Sequence, residues 1–300
     1  MRLMIAGASG QLGSALSYLF KNAALPLFEG DLPHLDITER SSLETAMDAF
    51  APDIIVNAAA YTQVDQAEID VEKAFSINRD GPALLADICK ERGTPLIHIS
   101  TDYVFDGAKG QPYLESDPVS PIGVYGKSKE AGESEIRKRL PAHVIIRTSW
   151  LYGIHGGNFV KTMIKLGRER ESIRVVMDQK GSPTCAEDLA EAIFLVAMKI
   201  YRSEGVAWGT YHYCNAGVIS WYEFARKIIA ISESYGAFMR VREILPIPTS
   251  EYPTRAARPL FSALNCDKII THFNVWQRPW EDSLDRTLRH LLRPVPDQAA

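Results

Sequence analysis

The length, composition and charge of the chain exclude several classes of protein. It has 300 residues, of which 46% are hydrophobic and 23% charged, as expected of a globular protein that buries a sizeable core. The net charge of −4 argues against a nucleic-acid partner, which normally requires a basic face. No apolar run reaches the ~18 residues of a membrane span, and no secretory signal is recognisable. We therefore expect a cytoplasmic protein without a membrane partner.

The first half of the chain alternates predicted strands with predicted helices. Short apolar runs predict strands within residues 2–6, 25–28, 53–57, 95–100 and 143–147. Helical periodicity predicts helices at residues 11–21, 71–91 and 123–139, with another beginning at residue 41. This alternation favours an α/β fold with a doubly wound parallel sheet, in which ligands bind at the carboxyl ends of the strands.

The second half is less regular. Helices are predicted over residues 158–170, 184–201, 220–232 and 282–292, a strand over residues 210–215, and a proline-containing loop over residues 247–262. We therefore predict a dinucleotide-binding Rossmann domain over residues 1–150. Residues 151–300 are predicted to form mainly a smaller C-terminal substrate-binding lobe, with some elements returning to the Rossmann sheet.

A glycine-rich loop joins the first predicted strand to the first predicted helix. Its glycines Gly7, Gly10 and Gly13 recur every three residues, which allows a tight turn, a close backbone approach to a pyrophosphate, and close packing of helix against strand. Gln11 and Leu12 begin the helix, whose free N–H groups attract phosphate. The loop predicts dinucleotide binding; the alternative is a glycine-rich turn without a ligand.

Two further strand ends fit a dinucleotide. Glu29 and Asp31 follow the second strand, and no Arg or Lys comes after them before Arg40. A carboxylate there accepts hydrogen bonds from a ribose 2′-hydroxyl and repels a 2′-phosphate, which favours NADH, unless both carboxylates are merely solvated. The third strand ends in small side chains against which a cofactor could lie, or which simply pack closely: Ala58, Ala59 and Ala60.

Tyr125 and Lys129 are four residues apart on a predicted helix and therefore share one face. Hydride addition to a ketone leaves an alkoxide, to which a tyrosine can donate a proton. A neighbouring lysine ammonium would lower the tyrosine pKa and could also bind the cofactor ribose. Thr101, at the end of the fourth strand, would hydrogen-bond the substrate oxygen, or it is a turn residue.

These segments together resemble a known family. The glycine loop, Asn57-Ala-Ala-Ala60, Ser100-Thr-Asp-Tyr-Val-Phe105, Tyr125-Gly-Lys-Ser-Lys129 and Arg147-Thr-Ser-Trp150 occur in order. The chain resembles the extended short-chain dehydrogenases, specifically the dTDP-4-dehydrorhamnose reductase family, over residues 2–292. The resemblance implies reduction of dTDP-4-dehydro-β-L-rhamnose to dTDP-L-rhamnose with NADPH or NADH. It adds Asp36 and Ile37 to the expected cofactor contacts, and Asp102 and Tyr103 to the expected substrate contacts.

The residue after Asp102 separates this chain from a related activity. Sugar-nucleotide 4,6-dehydratases are similar to this family but carry Asp-Glu after the threonine, and they need the second carboxylate to eliminate water. Here Thr101 is followed by Asp102 and Tyr103. Because Tyr103 cannot act as that base, simple reduction is predicted.

Three residues of the second half are candidates for substrate binding. Trp150 could stack on the sugar or its base, or be a core tryptophan. Asn158 could contact the sugar nucleotide, but it also stands where a helix N-cap belongs. Arg258, with Arg255 as the nearby alternative, suits a diphosphate, although a surface salt bridge would equally explain it.

A metal is doubtful from the sequence. Family members often carry Mg²⁺ at a dimer contact, with a carboxylate early in the first helix, where this chain has Ala15. Glu187 matches another family ligand, but Thr184 and Glu187 also read as a capping box. None of the four cysteines lies in a CxxC pair, so zinc is not predicted either.

Other functions stay open at this point. The same fold also serves as a non-catalytic regulatory subunit in a similar animal protein, but a binding module does not need Thr101, Tyr125 and Lys129 together. A reductase of a different nucleotide sugar is the other alternative. A homodimer is possible.

Overall fold

The computed structural model describes residues 1–293. The strands are β1 (Leu3–Ala6), β2 (Leu27–Gly30), β3 (Ile54–Asn57), β4 (Leu96–Thr101), β5 (His143–Thr148), β6 (Leu151–Tyr152), β7 (Ser172–Val176), β8 (Lys180–Gly181), β9 (Thr184–Cys185), β10 (Gly209–His212), β11 (Ile219–Ser220) and β12 (Glu243–Ile247). The helices are α1 (Gln11–Asn22), α2 (Arg40–Phe50), α3 (Val64–Ala67), α4 (Val71–Phe75), α5 (Gly81–Arg92), α6 (Val124–Arg139), α7 (Phe159–Glu169), α8 (Ala186–Tyr201), α9 (Trp221–Ser234), α10 (Asp267–Phe273) and α11 (Trp280–Leu292). Within this described part, no helix is long and apolar enough to cross a membrane.

A six-stranded parallel sheet organises the molecule, which confirms the predicted α/β fold. Its strand order is β10-β5-β4-β3-β1-β2. The strands β1, β3 and β5 are buried along their whole length, because helices cover both faces of the sheet. The chain runs from β1 to β2 on one side of β1, and then crosses back to β3 on the other side. This change of direction opens a crevice at the carboxyl ends of the strands.

Each face of the sheet carries its own hydrophobic core. On one face α1 and α8 pack together, with Leu16, Phe20 and Ile193 fully buried. On the other face α2, α5 and α6 bury side chains such as Leu43 and Leu85. Because α8 and β10 come from the second half of the chain, that half contributes both a covering helix and an edge strand to the sheet.

A third core forms a separate lobe at the carboxyl edge of the sheet. Helices α7, α9 and α11 pack with the parallel pair β7–β12 around Phe224, Trp280 and Leu284. Helix α9 begins at a capping box, in which Ser220 and Glu223 exchange hydrogen bonds between side chain and backbone. This box fixes where Trp221, the first residue of the helix, is presented.

The long helix predicted over residues 71–91 is interrupted. Helix α4 ends at Phe75, a π-helical turn follows over Ser76–Asp80, and α5 begins at Gly81. In this turn the Asn78 Oδ1 accepts a hydrogen bond from Tyr61 N at 2.9 Å. Its Nδ2 donates to Tyr61 O and to Ser128 Oγ on α6, both at 3.0 Å. A π-turn of this kind often lies at a functional site, and here it anchors α6, which carries Tyr125 and Lys129.

A buried ion pair joins α6 to β5. Arg147 donates to Glu133 through Nε (2.9 Å) and Nη2 (2.6 Å), and the two side chains are 3% and 0% exposed. The half-exposed Arg137 also contacts Glu133, at 2.8 Å. An isolated buried charge is costly. Each side chain therefore needs the other beside it, and the pair fixes α6 relative to β5.

Arg147→Met should lower the free energy of unfolding by about 3–5 kcal/mol, because it leaves the Glu133 carboxylate without its buried partner. Arg137→Met, which removes an exposed partner of the same carboxylate, should cost less than about 1 kcal/mol. Urea unfolding of both variants measures the difference. Equal losses in the two variants would contradict the assignment.

Candidate active site

Three neighbouring cavities form a continuous cleft along the carboxyl ends of the strands. The loop cavity, of about 480 Å³, lies between the glycine loop and the end of β2. The central cavity, of about 550 Å³, lies over the ends of β4 and β5, and the lobe cavity, of about 560 Å³, opens into the C-terminal lobe. Gly10 and Ala58 line both the loop and central cavities, and Tyr103 and Trp221 line both the central and lobe cavities.

The glycine loop has the conformation that its sequence requires. Gly7 adopts φ +84°, and a Cβ there would lie 2.5 Å from Ala59 N. A Cβ on Gly13 would lie 2.1 Å from Gly7 O, so the first turn of α1 can approach the loop only without a side chain. The N-terminus of α1 therefore opens on the cleft, where its free N–H groups can bind phosphate.

The other residues predicted at this end lie in the same cleft. Gln11 and Leu12 line the central cavity, and the Gln11 Oε1 accepts a hydrogen bond from Asn158 Nδ2 at 3.0 Å. Ala58 N donates to Ala6 O, and Ala59 N to Asn57 Oδ1. The small side chains of residues 58–60 leave the backbone after β3 open to the cleft.

Asp31 and Glu29 separate in the structure. The Asp31 carboxylate lines the loop cavity and accepts hydrogen bonds from Ser9 N (2.9 Å), the Ser9 hydroxyl and Leu32 N. Partial burial favours a higher pKa for Asp31, but the Ser9 bonds outweigh it and lower the pKa. Glu29 instead pairs with Lys21 at 2.6 Å, so of the two predicted ribose contacts Asp31 is the one that faces the cavity.

The opposite wall of the loop cavity contains both predicted and unpredicted residues. Asp36 closes a turn by accepting from Thr38 N and Thr38 Oγ1, and Asp36 and Ile37 line the cavity. Lys73, on α4, also lines it. Because Lys73 is far from the second strand in sequence, its place in this cavity was not predicted.

Lys129 is buried against the sheet. Its side chain is 2% exposed, and Nζ donates to Ile99 O at 2.7 Å. Burial lowers the pKa of Lys129 to about 8, and the Glu133 carboxylate, one turn along α6, opposes that shift. The ammonium thus has a fixed place at the floor of the central cavity.

Tyr125 lines the same cavity, but the predicted lowering of its pKa is wrong. Burial raises the pKa of Tyr125 to about 12; a hydrogen bond with Thr101 lowers it in part, and the Asp102 carboxylate raises it. Desolvation penalises the charged phenolate. The Lys129 ammonium donates its hydrogen bond to Ile99 O. The phenol is therefore held in its protonated form, which is the form that donates a proton to an alkoxide.

Thr101, Asp102 and Tyr103 meet Tyr125 at the end of β4. The Thr101 hydroxyl donates to Asp102 Oδ1 at 3.1 Å and accepts from Tyr103 N at 3.2 Å. The Tyr103 ring makes an edge contact with the Tyr125 ring, with centroids 5.5 Å apart. All four side chains line the central cavity, so the fold brings together the predicted catalytic set.

Trp150 does not offer the free platform that the sequence suggested. It adopts φ +48° and stacks on Trp221 with centroids 3.5 Å apart and planes at 7°. Gly181 also lies against its ring, because a Cβ there would be 2.6 Å from Trp150 Cε2. Trp221, which lines both the central and lobe cavities, is a site residue that no local sequence pattern revealed.

Asn158 and Arg258 are engaged within the protein. Asn158 is the N-cap of α7, accepting from Lys161 N at 3.1 Å, while its amide donates to Gln11 and Gly153. Arg258 forms a bidentate pair with Asp65 (2.6 and 3.2 Å), as the alternative reading expected, and it also lines the lobe cavity. Arg170, another residue of that cavity wall, was missed.

The region around Glu187 differs from the predicted capping box. Thr184 and Cys185 form β9, which pairs with β6, so α8 begins at Ala186 and Cys185 is its N-cap. Glu187 accepts from Cys185 Sγ (3.0 Å) and Ile154 N (3.4 Å). Ala15 is 5% exposed within the core. Among residues 1–293, no group of three or more His, Cys, Asp or Glu side chains is placed to hold a metal.

The loop and central cavities fit a nicotinamide dinucleotide. They run from Asp31, past the N-terminus of α1, to Tyr125 and Lys129. Asp31 would accept from the adenosine ribose, the N-terminus of α1 would bind the pyrophosphate, and Tyr125 and Lys129 would lie at the hydride-transfer end. The lobe cavity adjoins that end.

Comparisons with known proteins agree with this geometry. A family model described as RmlD substrate binding domain matches residues 1–293. A dTDP-4-dehydrorhamnose reductase of Aggregatibacter actinomycetemcomitans is 41% identical over 284 residues, covering 94% of this chain and 97% of that protein. A dTDP-4-keto-6-deoxy-D-glucose reductase of Streptomyces niveus is 39% identical, covering 89% of each chain.

A solved structure extends the comparison to a bound cofactor. The crystal structure of a dTDP-4-dehydrorhamnose reductase from Bacillus anthracis in complex with NADP is 41% identical, with a TM-score of 0.88 over 96% of this chain and 99% of that one. The chain therefore belongs to the dTDP-4-dehydrorhamnose reductase family.

Proposed function

We propose that this protein reduces dTDP-4-dehydro-β-L-rhamnose to dTDP-L-rhamnose, in the synthesis of a precursor of cell-surface polysaccharide. The observation that carries the proposal is the meeting of Thr101, Tyr125 and Lys129 in the central cavity, between the dinucleotide loop and the lobe cavity. A binding subunit has no use for this set, so an enzyme is favoured over a regulatory subunit.

The reaction assigns one task to each of the three residues. The bound nicotinamide supplies a hydride to the C4 carbonyl carbon. Tyr125 Oη donates its proton to the carbonyl oxygen, so that C4 gains a hydrogen and the oxygen becomes a hydroxyl. Thr101 hydrogen-bonds that oxygen as charge develops on it. Lys129, whose ammonium is fixed on Ile99 O, would bind the cofactor ribose.

The lobe cavity suits the nucleotide part of the substrate. Its walls combine apolar side chains such as Phe159 and Met163 with the guanidinium groups of Arg170 and Arg258, and guanidinium groups bind diphosphates well. A substrate whose nucleotide lies there would present its sugar to the central cavity past Tyr103. We propose Asp102, Tyr103, Trp150 and Asn158 as substrate neighbours on the same grounds of position.

The two halves of the chain have different proposed binding roles. We propose that residues 1–150 bind the cofactor and that residues 151–300, of which 294–300 lie outside the described residues, mainly bind the substrate, with β10 and α8 returning to the sheet. A cytoplasmic location and a homodimer are further parts of this proposal. They follow from the biosynthetic role and from the family, respectively.

One relative is named for a different substrate, which makes that substrate the second candidate. The Streptomyces niveus protein is named for dTDP-4-keto-6-deoxy-D-glucose, which differs from the proposed substrate in sugar stereochemistry. Both substrates should be offered to the purified protein with reduced cofactor, and consumption followed by absorbance. A higher kcat/KM for the gluco sugar would replace the proposed substrate while leaving the reductase chemistry in place.

We predict that NADH is usable alongside NADPH. Asp31 faces the loop cavity and can accept a bond from a ribose hydroxyl, whereas a 2′-phosphate there meets its negative charge. The measurement is kcat/KM for both cofactors at equal ionic strength. Activity with NADPH alone would contradict the role assigned to Asp31.

Tyr125→Phe should lower turnover by about 10²–10⁴-fold, because it removes the proton donor and keeps the ring. Cofactor affinity, followed by fluorescence titration, should stay near that of the unmodified protein. Tyr235→Phe, at a tyrosine outside the cleft whose hydroxyl bonds Asp285, is the matched control and should keep near-normal turnover. Near-normal turnover in the Tyr125 variant would remove this residue from the mechanism.

EDTA should leave activity and oligomeric state unchanged. Ala15 is buried in the core, and Glu187 bonds Cys185 and Ile154 N, whereas Mg²⁺ needs several oxygen ligands. Rate and sedimentation should be compared with and without chelator at matched ionic strength. If chelation abolished activity and added Mg²⁺ restored it, other carboxylates would have to complete a site.

A further inference from the structure

The carboxyl group of Asp102 lies inside the central cavity without an assigned chemical task. Its side chain is 2% exposed and its residue lines the cavity. Oδ1 lies 3.1 Å from Thr101 Oγ1. Oδ2 makes no hydrogen bond of normal geometry within residues 1–293, although the Ser262 hydroxyl lies near the carboxyl group. A buried polar atom left without a partner is uncommon and calls for an explanation.

The charge of this carboxyl group decides the direction in which the Thr101 hydroxyl points. An ionised carboxylate can only accept hydrogen bonds, so Thr101 must donate its single hydrogen to Oδ1. One lone pair of the hydroxyl is already used by Tyr103 N, at 3.2 Å. In this state Thr101 has only one lone pair left to offer Tyr125 or the cavity, and it cannot donate to a substrate oxygen.

The neutral acid reverses the direction of that bond. A protonated Asp102 can donate to Thr101 Oγ1, which then accepts from both Asp102 and Tyr103 N. The Thr101 hydrogen becomes free to turn toward the cavity. Stabilising a developing alkoxide requires a donor of this kind.

We propose that Asp102 is a positioning residue that acts through Thr101: the neutral acid turns the Thr101 hydroxyl toward the substrate oxygen, and the carboxylate turns it away. This inference rests on the proposed reductase function. It adds that the reductase should work best when a buried carboxyl group next to Thr101 is protonated.

The surroundings of Asp102 favour protonation. The titratable groups that face it are Tyr103 beside it, Tyr125 on α6 and Cys214 after β10, all neutral in their ordinary forms. The nearby cations are engaged elsewhere, Lys129 with Ile99 O and Arg258 with Asp65. Burial raises the pKa of Asp102 to about 6, against the opposing hydroxyls of Ser262 and Thr101.

The sign of the pH dependence follows directly. The protonated fraction of Asp102 falls as pH rises through about 6, so Thr101 loses its donor orientation on the alkaline side. Removing one oxyanion donor typically costs 10²–10³-fold in kcat. We therefore expect kcat to fall by about 10-fold between about pH 5 and about pH 7, as the protonated fraction falls. Tyr125, whose pKa is raised to about 12, does not titrate in this range, and Lys129, whose pKa is lowered to about 8, stays mostly protonated up to about pH 7.

The test compares pH profiles of kcat for the unmodified protein and Asp102→Asn. The asparagine amide keeps the shape and can donate to Thr101 at every pH, so the decline through about pH 6 should disappear and activity at about pH 7 should rise. Asp106→Asn is the matched control, because Asp106 is an aspartate of the same loop that instead accepts from Ala108 N and Tyr113. It should keep the original profile.

Two further variants show whether Asp102 acts through Thr101. Thr101→Val should be slow at every pH and lose the decline, whereas Thr101→Ser, which keeps the hydroxyl, should retain it. A decline that persists in Asp102→Asn, or in Thr101→Val, would overturn the proposal. These two Thr101 variants also carry the test if Asp102→Asn does not fold.

An infrared measurement separates this inference from the proposed function. The difference spectrum between the unmodified protein and Asp102→Asn should contain a carboxylic acid band that disappears as pH rises through about 6, with no substrate present. Absence of that band over the whole range would overturn the inference even if the reductase is active. Its presence in a protein that does not reduce the proposed sugar would support the buried acid and reject only the substrate.

Discussion

The buried ammonium of Lys129 is the constraint on which the rest of the site depends. A charge that is 2% exposed must be stabilised by fixed partners, and those partners are Ile99 O at the end of β4 and Glu133 one turn along α6. Glu133 is in turn held by Arg147 on β5. The position of α6 over the sheet, and therefore that of Tyr125, is fixed by this chain of charges together with the Asn78 contacts to Tyr61 and Ser128.

The parallel sheet brings the other site residues together. Because strands β3, β4 and β5 end at one edge, residues 58–60, Thr101 and Trp150 meet there although they are far apart in sequence. The glycine loop reaches the same edge from β1, where a Cβ on Gly7 or Gly13 would clash with the backbone. Cofactor and substrate can therefore approach one another from opposite ends of a single cleft without any strand having to move.

The sequence allowed prediction of those parts of the site that depend on local spacing. The glycine loop and the Tyr125–Lys129 pair are encoded within a few residues, and both lie in the cleft. Other features depend on contacts between distant segments: Trp221 stacks on Trp150 across 71 positions, and Lys73 reaches the loop cavity from another helix. The pKa of Tyr125 was mispredicted because proximity to Lys129 was considered without the desolvation of the phenol, which is the larger effect.

The contacts that close the lobe against the sheet are made by the same residues that line the cleft. Arg258 ties the C-terminal loop to Asp65 on α3, Asn158 ties α7 to Gln11 on α1, and Trp221 ties α9 to Trp150. Arg258 can bind a diphosphate and Asp65 together, because a guanidinium group has further donors available. A substrate bound in the lobe cavity, as proposed, would therefore contact side chains that also hold the lobe against the sheet. Tyr103 and Trp221 line both the lobe cavity and the central cavity.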